Sequence, residues 1–120
     1  MKVFKKKTYI CMMNIIAKGT ILHYTIKYPK AEKSILAWLK EFEKHSFDNF
    51  NQLRDVYKNA SLVANGRIIF NIKGNDFRLI ISINFKKRAA YVIWFGTHTE
   101  YDKIDASTIP FDIDLAFKKY

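Results

Sequence analysis

The sequence predicts an α+β fold, in which two or three N-terminal helices pack on one face of a three- to four-stranded antiparallel sheet. Two patterns predict it. Between residues 67 and 98, three runs rich in β-branched and aromatic residues are separated by a Gly74-Asn75 turn and by a short basic turn, which is typical of an antiparallel meander. Before this meander, apolar residues recur at helical spacing on either side of Pro29. A chain of 120 residues is long enough to form one such domain with its own core.

The two faces of the meander follow from the alternation of side chains along a strand. We expect the helices to cover the apolar face, so that the mixed face is left open or is covered by something else. The apolar face is the predicted core and carries Ile68, Phe70, Ile72, Phe77, Leu79, Ile81, Ile83, Phe85, Tyr91, Ile93 and Phe95. The mixed face carries Arg67, Ile69, Asn71, Lys73, Arg78, Ile80, Ser82, Asn84, Val92, Trp94, Gly96 and His98.

The first third of the chain predicts one short strand and two helices. Residues 14–16 suit a short strand, and residues 18–28 suit a helix that ends before Pro29, because proline disfavours helix in the residue before it. A second helix begins at Pro29. The apolar stripe of the first helix is predicted from Ile21 or Leu22, Thr25 and Ile26. The second helix has an apolar face of Ile35, Leu36, Leu39 and Phe42, and a solvent face of Lys33, Lys40, Glu41 and Lys44.

Shorter elements occupy the rest of the chain. Asn49, with Gln52 three residues later, resembles a capping box that opens a short helix. Residues 58–66 resemble a connection into the meander. After the meander, residues 100–105 predict a helical turn. In residues 110–120, apolar and polar residues alternate weakly, and this segment is either an edge strand or a loose tail.

The charge of the chain indicates an anionic partner. A net charge of +10 and an isoelectric point near 9.7 favour nucleic acid, an acidic protein or a membrane surface. The single cysteine, Cys11, excludes an internal disulfide and is compatible with a reducing compartment. No apolar run is long enough to span a bilayer. We therefore expect a cytoplasmic protein with no membrane partner.

The N terminus superficially resembles a signal peptide. Its apolar segment is short and is interrupted by Thr8 and Asn14, and the residues that follow form a poor cleavage site. We therefore predict a basic extension at residues 1–12, one domain at residues 13–106 and a tail at residues 107–120. Met12 and Met13 are alternative starts.

Several kinds of catalytic site are excluded by missing motifs. The sequence has no glycine-rich phosphate loop, no Cys/His pair at zinc spacing and no histidines four residues apart. Cys11 has no histidine near it in the sequence. We therefore expect neither a zinc site nor covalent catalysis.

The strongest candidate for a functional residue is Arg78, in the middle of the meander on its mixed face. Lys73 lies across the turn from it, and His98 lies on the neighbouring strand. A guanidinium, an ammonium and an imidazole on one face suit a phosphodiester and the negative charge that develops on it during cleavage. The alternative is an ordinary solvated strand arginine.

His98 suits the transfer of a proton. An imidazole that titrates near neutral pH can donate a proton to a leaving oxygen, and Tyr101 or Asp102 can orient it. Alternatively, His98 only caps the following turn, and Tyr101 packs on the sheet edge. Trp94 on the same face suits either base stacking or a partner protein. A basic turn follows the second strand of the meander, and it either binds a backbone phosphate or is only a solvated loop. It consists of Lys86, Lys87 and Arg88.

Three segments of the meander resemble a known family. They are Phe70–Asn75, Phe77–Ile80 and Gly96–Ile104, and they are similar to the HigB-type mRNA interferase toxins, a branch of the RelE-like superfamily. The helix that carries Pro29 and Trp38 is similar as well. The resemblance extends from Met13 to Ala106.

This resemblance implies an RNA endonuclease that acts on mRNA, typically on the translating ribosome, and that is silenced by a helix-turn-helix antitoxin of the HigA type. Such enzymes need no metal or other cofactor: the ribose 2′-hydroxyl attacks the adjacent phosphate and leaves a cyclic phosphate and a free 5′-hydroxyl. Arg78 would stabilise the transition state, and His98 would be the general acid. Lys73 would add positive charge beside the phosphate, and Tyr101 would orient the substrate or His98.

Two roles are assigned less narrowly. The general base is left open among Lys73, Lys18 and His98, because the mixed face offers no glutamate in the meander. The residues expected to contact RNA are Arg67, Lys86, Lys87, Arg88, Trp94 and Lys18.

Two other functions remain open from the sequence. A non-catalytic RNA-binding or ribosome-binding module would use the same basic face, and a metal-dependent nuclease would use Asp76, Glu100 and Asp102. The variant Arg78→Ala distinguishes the enzyme from the binding module. An enzyme should lose RNA cleavage and largely keep RNA binding, because transition-state stabilisation is removed while most phosphate contacts remain.

Overall fold

Three long antiparallel strands form the centre of a five-stranded sheet in the computed structural model, which describes residues 13–16 and 18–110. The predicted α+β class and the meander are confirmed. The strands are β1 (Asn14–Ile16), β2 (Ser61–Val63), β3 (Arg67–Ile72), β4 (Phe77–Asn84) and β5 (Ala89–Thr97). The helices are α1 (Lys18–Lys27), α2 (Glu32–Phe42), α3 (Phe50–Val56) and α4 (His98–Tyr101), and single 3-10 turns lie at Pro29–Ala31 and Ala64–Gly66. The predicted extension at residues 1–12 and the tail residues 111–120 lie outside the described residues.

Two three-residue strands turn the meander into a mixed sheet with the order β1-β5-β4-β3-β2. Strand β2 pairs antiparallel with β3, whereas β1 pairs parallel with β5, where Asn14 lies opposite Ala89. The predicted three or four antiparallel strands are therefore corrected to five strands, one of them parallel. Strand β2 lies in the segment assigned to a connection, because three residues are too few to show an alternating pattern.

The helices α1, α2 and α3 pack against one face of the sheet, as predicted. On α2, Trp38 stacks on Phe42 with ring centroids 4.8 Å apart, and both rings contact Phe70 of β3 edge-on. Helix α3 begins after Asn49, whose Oδ1 accepts the N–H of Gln52 at 3.0 Å. The predicted helix start at Asn49 is therefore confirmed.

The buried stripe of α1 differs from the prediction. Ile21 and Tyr24 are buried, whereas Leu22 and Ile26 are 50% and 69% exposed. The ring of Tyr24 packs on Phe95 of β5 with centroids 5.6 Å apart. The prediction named Ile21 and Thr25, which are buried, but it left out Tyr24 and so missed the area that a tyrosine buries.

A β-bulge in β5 reverses part of the predicted alternation. Residues 80 and 81 of β4 pair with Trp94 and Val92, so Ile93 is an extra residue in β5. Because of this insertion, Val92 is buried in the main core, Tyr91 is 42% exposed and Ile93 points to the opposite face. The predicted faces of these three residues were wrong, whereas those of β3 and β4 are confirmed.

The face that carries Arg78 is covered by the segment that follows α4. Arg67 fastens this segment, because its Nη1 donates to the carbonyl oxygens of Ala106, at 3.1 Å, and of Ile109. Of the two alternatives left by the sequence, the covered face is the one observed. The apolar cluster formed here contains Ile69, Ile80, Ile93 and Ala106, with Val63, Trp94, Tyr101, Ile104 and Ile109 packed against it.

Candidate active site

The turn between β3 and β4 places three exposed polar side chains at one edge of the sheet, those of Lys73, Asn75 and Asp76. Lys73 and Gly74 have positive φ values of 55° and 64°. The N–H of Asp76 donates to the Lys73 carbonyl oxygen at 3.2 Å and closes the turn. A lysine rarely adopts this conformation, so the turn holds Lys73 in a strained backbone geometry.

Arg78 supports this turn from the interior. Its Nη1 donates to the carbonyl oxygens of Asn75 and Phe77, each at 3.1 Å, and its Nη2 donates to Oδ1 of Asn75 at 2.6 Å. Arg78 is only 9% exposed, and its guanidinium lies 5.9 Å from the centroid of the Tyr101 ring. The buried cation therefore fixes the Asn75 side chain and places positive charge directly below the turn.

His98 begins α4 at the same edge. Thr97 caps this helix: its Oγ1 accepts the N–H of Glu100 at 3.1 Å, and Oε1 of Glu100 accepts the N–H of Thr97 at 2.9 Å. The N–H of His98 donates to the Asp76 carbonyl oxygen at 2.8 Å. This bond ties α4 to the β3–β4 turn, so His98 is fixed beside Asp76.

A cleft of about 440 Å³ lies where the β3–β4 turn, α4 and the 3-10 turn Pro29–Ala31 meet. It brings together Lys73 and His98 from the predicted site. Sequence reasoning missed Lys30, and it named Asp76 only as a ligand in the metal-dependent alternative. The position of Asp76 between the Gly74-Asn75 turn and Arg78 was the available signal. The lining residues are Lys30, Lys73, Asn75, Asp76, Phe77, Thr97, His98 and Thr99.

The imidazole of His98 has one shielded and one accessible edge. Its side chain is 43% exposed, but Nδ1 is buried and has no hydrogen-bond partner among the described residues. Oδ1 of Asp102, one helical turn further on, lies 3.8 Å from this Nδ1. The accessible edge is therefore the one that carries Nε2.

Tyr101 packs on the covered face and does not line the cleft. Its ring centroid lies 6.3 Å from that of Trp94, which is half-buried. Burial raises the pKa of the Tyr101 hydroxyl, and the Arg78 charge opposes this rise. Arg78 likewise lies outside the cleft lining and is hydrogen-bonded to two residues of that lining, Asn75 and Phe77.

The residues predicted to contact RNA are scattered over the sheet. Arg67 is engaged by the carbonyls of the covering segment. Arg88 donates to the Phe47 carbonyl oxygen at 2.8 Å and to Oδ1 of Asp48 at 2.5 Å. The hydrogen bond to Asp48 and the charge of Arg88 lower the pKa of the Asp48 carboxyl. Exposed Lys86 and Lys87 follow the far end of β4, roughly 25 Å from the cleft at 3.3 Å per residue. Lys18 begins α1, and its side chain lies outside the described part of the chain.

The carboxylates proposed for the metal-dependent alternative do not gather into one site. Within residues 13–16 and 18–110, no three His, Cys, Asp or Glu side chains are grouped as metal ligands would be. The same stretch contains no helix with the length and apolar character that a membrane crossing requires.

Comparison with known proteins identifies the family. A family model for HigB toxins, described as the RelE-like toxic component of a toxin-antitoxin system, matches residues 31–104. The chain belongs to the HigB toxin family. The matched range includes the β3–β4 turn, Arg78 and His98. Membership of this family gives the chain an antitoxin as its partner.

Two relatives of this HigB-family chain cover most of its length. The mRNA interferase HigB of Escherichia coli O6:H1 is 26% identical over 94 residues, which are 77% of this chain and 91% of that protein. The mRNA interferase toxin HigB of Escherichia coli K12 is 24% identical over 92 residues, which are 75% of this chain and 88% of that protein.

Proposed function

We propose that this HigB-family chain is an endoribonuclease that cleaves mRNA and stops translation until its antitoxin binds. The observation that carries the proposal is the cleft that His98, Lys30 and Lys73 line together. The names of both relatives, mRNA interferases, and the net charge of +10 support an RNA substrate.

The cleft contains the groups that RNA cleavage by the ribose 2′-hydroxyl requires. Asp76 is the carboxylate in the lining, and we assign to it the removal of the 2′-hydroxyl proton, the role left open by the sequence. The 2′-oxygen then attacks the adjacent phosphorus, and Nε2 of His98 protonates the departing 5′-oxygen. The products are a 2′,3′-cyclic phosphate and a free 5′-hydroxyl. Lys30 and Lys73 stabilise the negative charge of the pentacoordinate phosphorus.

Arg78, Tyr101 and Asp102 act on this chemistry indirectly. The three hydrogen bonds of Arg78 hold Asn75 at the cleft wall, and its buried charge raises the electrostatic potential of the cleft. Tyr101 covers the guanidinium. Asp102 orients the His98 ring from its Nδ1 side. These placements favour positioning roles for all three residues over direct contact with the scissile phosphate.

The test is cleavage of a 5′-labelled RNA by purified protein, with and without ribosomes, in the presence of EDTA. We expect the wild type to cleave in the chelator and His98→Ala to be slower by about 10²–10⁴-fold, the usual contribution of a general acid. His45→Ala is the matched control, because this imidazole pairs with Glu41, at 3.1 Å, and does not line the cleft.

Each competing function predicts a different result. Unchanged cleavage by His98→Ala would refute the site. Tight RNA binding without any cleavage would establish a binding module, and loss of activity in EDTA would establish a metal-dependent nuclease. In cells, overproduction of the wild type without its antitoxin should arrest growth, whereas His98→Ala should not. Relief of the arrest by a co-expressed helix-turn-helix protein of the HigA type would identify the partner.

A further inference from the structure

One carboxylate oxygen, Oε1 of Glu100, joins the helical layer to the element that carries His98. It accepts hydrogen bonds from the Tyr28 hydroxyl at 2.7 Å, from the Thr97 N–H at 2.9 Å and from the Thr97 hydroxyl at 3.1 Å. Capping of α4 explains the two bonds from Thr97. The bond from Tyr28 is different, because this residue follows α1 and is distant in the sequence.

Tyr28 is well anchored on its own side of the contact. Its ring packs edge-on against Phe77 and Phe95, with centroids 5.6 Å and 5.7 Å apart. Burial and the neighbouring Glu100 raise the pKa of the Tyr28 hydroxyl. Burial also acts to raise the pKa of the Glu100 carboxyl, but the accepted hydrogen bonds and nearby Lys27 outweigh it and lower this pKa. A neutral phenol therefore donates to an ionised carboxylate over a wide pH range.

Each end of this hydrogen bond lies two residues from a side chain that lines the cleft. Lys30 lies two residues after Tyr28, and His98 lies two residues before Glu100. The His98 N–H is itself bonded to Asp76. The Tyr28–Glu100 bond is therefore a direct link between the helical wall and the sheet wall, and neither partner lines the cleft.

We propose that Tyr28 and Glu100 are positioning residues that hold Lys30 and His98 at the separation needed to contact the same phosphodiester. This proposal rests on the proposed nuclease function. It assigns no contact with RNA to either residue. It accounts for the hydrogen bond from Tyr28 to Glu100 Oε1, which the capping of α4 does not require.

The test uses Tyr28→Phe, which removes one hydroxyl and keeps the ring packing. We expect kcat to fall about tenfold with KM nearly unchanged, and the melting temperature to fall by no more than about 6 °C, the change expected for one lost charge-assisted hydrogen bond. Glu100→Ala should lower kcat at least as much, and Glu100→Gln, which keeps an acceptor oxygen, should retain more activity. The double variant Tyr28→Phe/Glu100→Ala should lose no more than Glu100→Ala, because both remove the same bond.

Tyr57→Phe is the matched control. This buried hydroxyl has no hydrogen-bond partner among the described residues and lies outside the cleft, so its removal should leave kcat unchanged. An equal kcat for Tyr28→Phe and wild type would overturn the proposal. So would a fall in the melting temperature without a change in kcat at lower temperature, because that result indicates a purely structural bond.

A second measurement separates this proposal from the nuclease function. The imidazole NMR signals of His98, assigned by comparison with His98→Ala, should shift in Tyr28→Phe, while those of His45 stay in place. If the wild type does not cleave RNA, the nuclease proposal fails, and the His98 signals alone then decide whether the link positions this ring. If the wild type cleaves and the signals do not shift, only the positioning proposal fails.

Discussion

Gly96→Ala tests how tightly β5 is packed beside the cleft. A Cβ atom on Gly96 would lie 2.6 Å and 2.7 Å from two ring carbons of Trp94 and 3.0 Å from Oε1 of Glu100. Packed carbon atoms normally stay about 3.5–4.0 Å apart, so the indole would have to move by roughly 1 Å. The backbone cannot yield easily, because Gly96 pairs with Arg78 in the β4–β5 ladder.

The expected cost follows from this overlap. Overpacking by one methyl group in a well-packed site costs about 1–3 kcal/mol. For a domain of this size, we take about 4 °C of melting temperature for each kcal/mol, which gives a fall of roughly 4–12 °C. The same methyl group presses on the oxygen that Tyr28 bonds, so RNA cleavage should fall as well.

Thermal unfolding followed by circular dichroism measures this effect. Gly19→Ala is the matched control, because a Cβ there meets nothing within 4 Å and α1 should gain stability or stay unchanged. Gly96→Ala should lower the melting temperature less in a Trp94→Leu protein than in the wild type, since the clashing ring carbons are then absent. A Gly96→Ala protein that melts with the wild type would refute the reasoning, and strict additivity in the double variant would exclude Trp94 as the cause.

Three further outcomes are expected. Arg67→Ala removes the donor that fastens the covering segment, so trypsin should cut faster at Lys103 than in the wild type, as mass spectrometry would show. The Glu100 carboxyl has a lowered pKa in the folded state. The stability that it contributes to the fold is therefore complete above the pKa it has in the unfolded chain, and is lost as the pH falls through its lower pKa in the folded state. Urea unfolding should therefore show a smaller loss of stability for Glu100→Gln than for the wild type between about pH 5 and pH 3. Lys73→Ala should reduce the slope of log binding constant against log salt concentration for RNA by about 0.7. Lys44→Ala, which removes an exposed lysine that does not line the cleft, should leave this slope unchanged.

The central strands were predictable because their patterns are long. Strands β3 and β4 run for 6 and 8 residues, and their alternation assigned each side chain to the correct face. Strand β5 is as long, but the bulge at Ile93 breaks its alternation. The residues on both sides of the bulge are apolar, so no polar residue in the sequence marks the extra position. Only the pairing with β4 reveals it.

The site was predictable only in part. Lys73 and His98 follow from the turn and from the end of β5, which the sequence places at one edge. The burial of Arg78 does not follow, because it depends on the segment after α4, where the sequence has only isolated apolar residues. Lys30 also could not be predicted, since it reaches the cleft through the packing of the helical layer and not through strand register.

The parallel pairing of β1 with β5 has a consequence for the synthesis of this toxin. Asn14 leaves the ribosome early, but its strand partner Ala89 emerges only after most of the chain has been made. The nascent polypeptide cannot complete its sheet, or bring Lys30 to His98, before the final third has been released. A nascent chain that has not yet emerged as far as His98 therefore lacks the assembled cleft, and a partner protein can bind its earlier segments before that cleft forms.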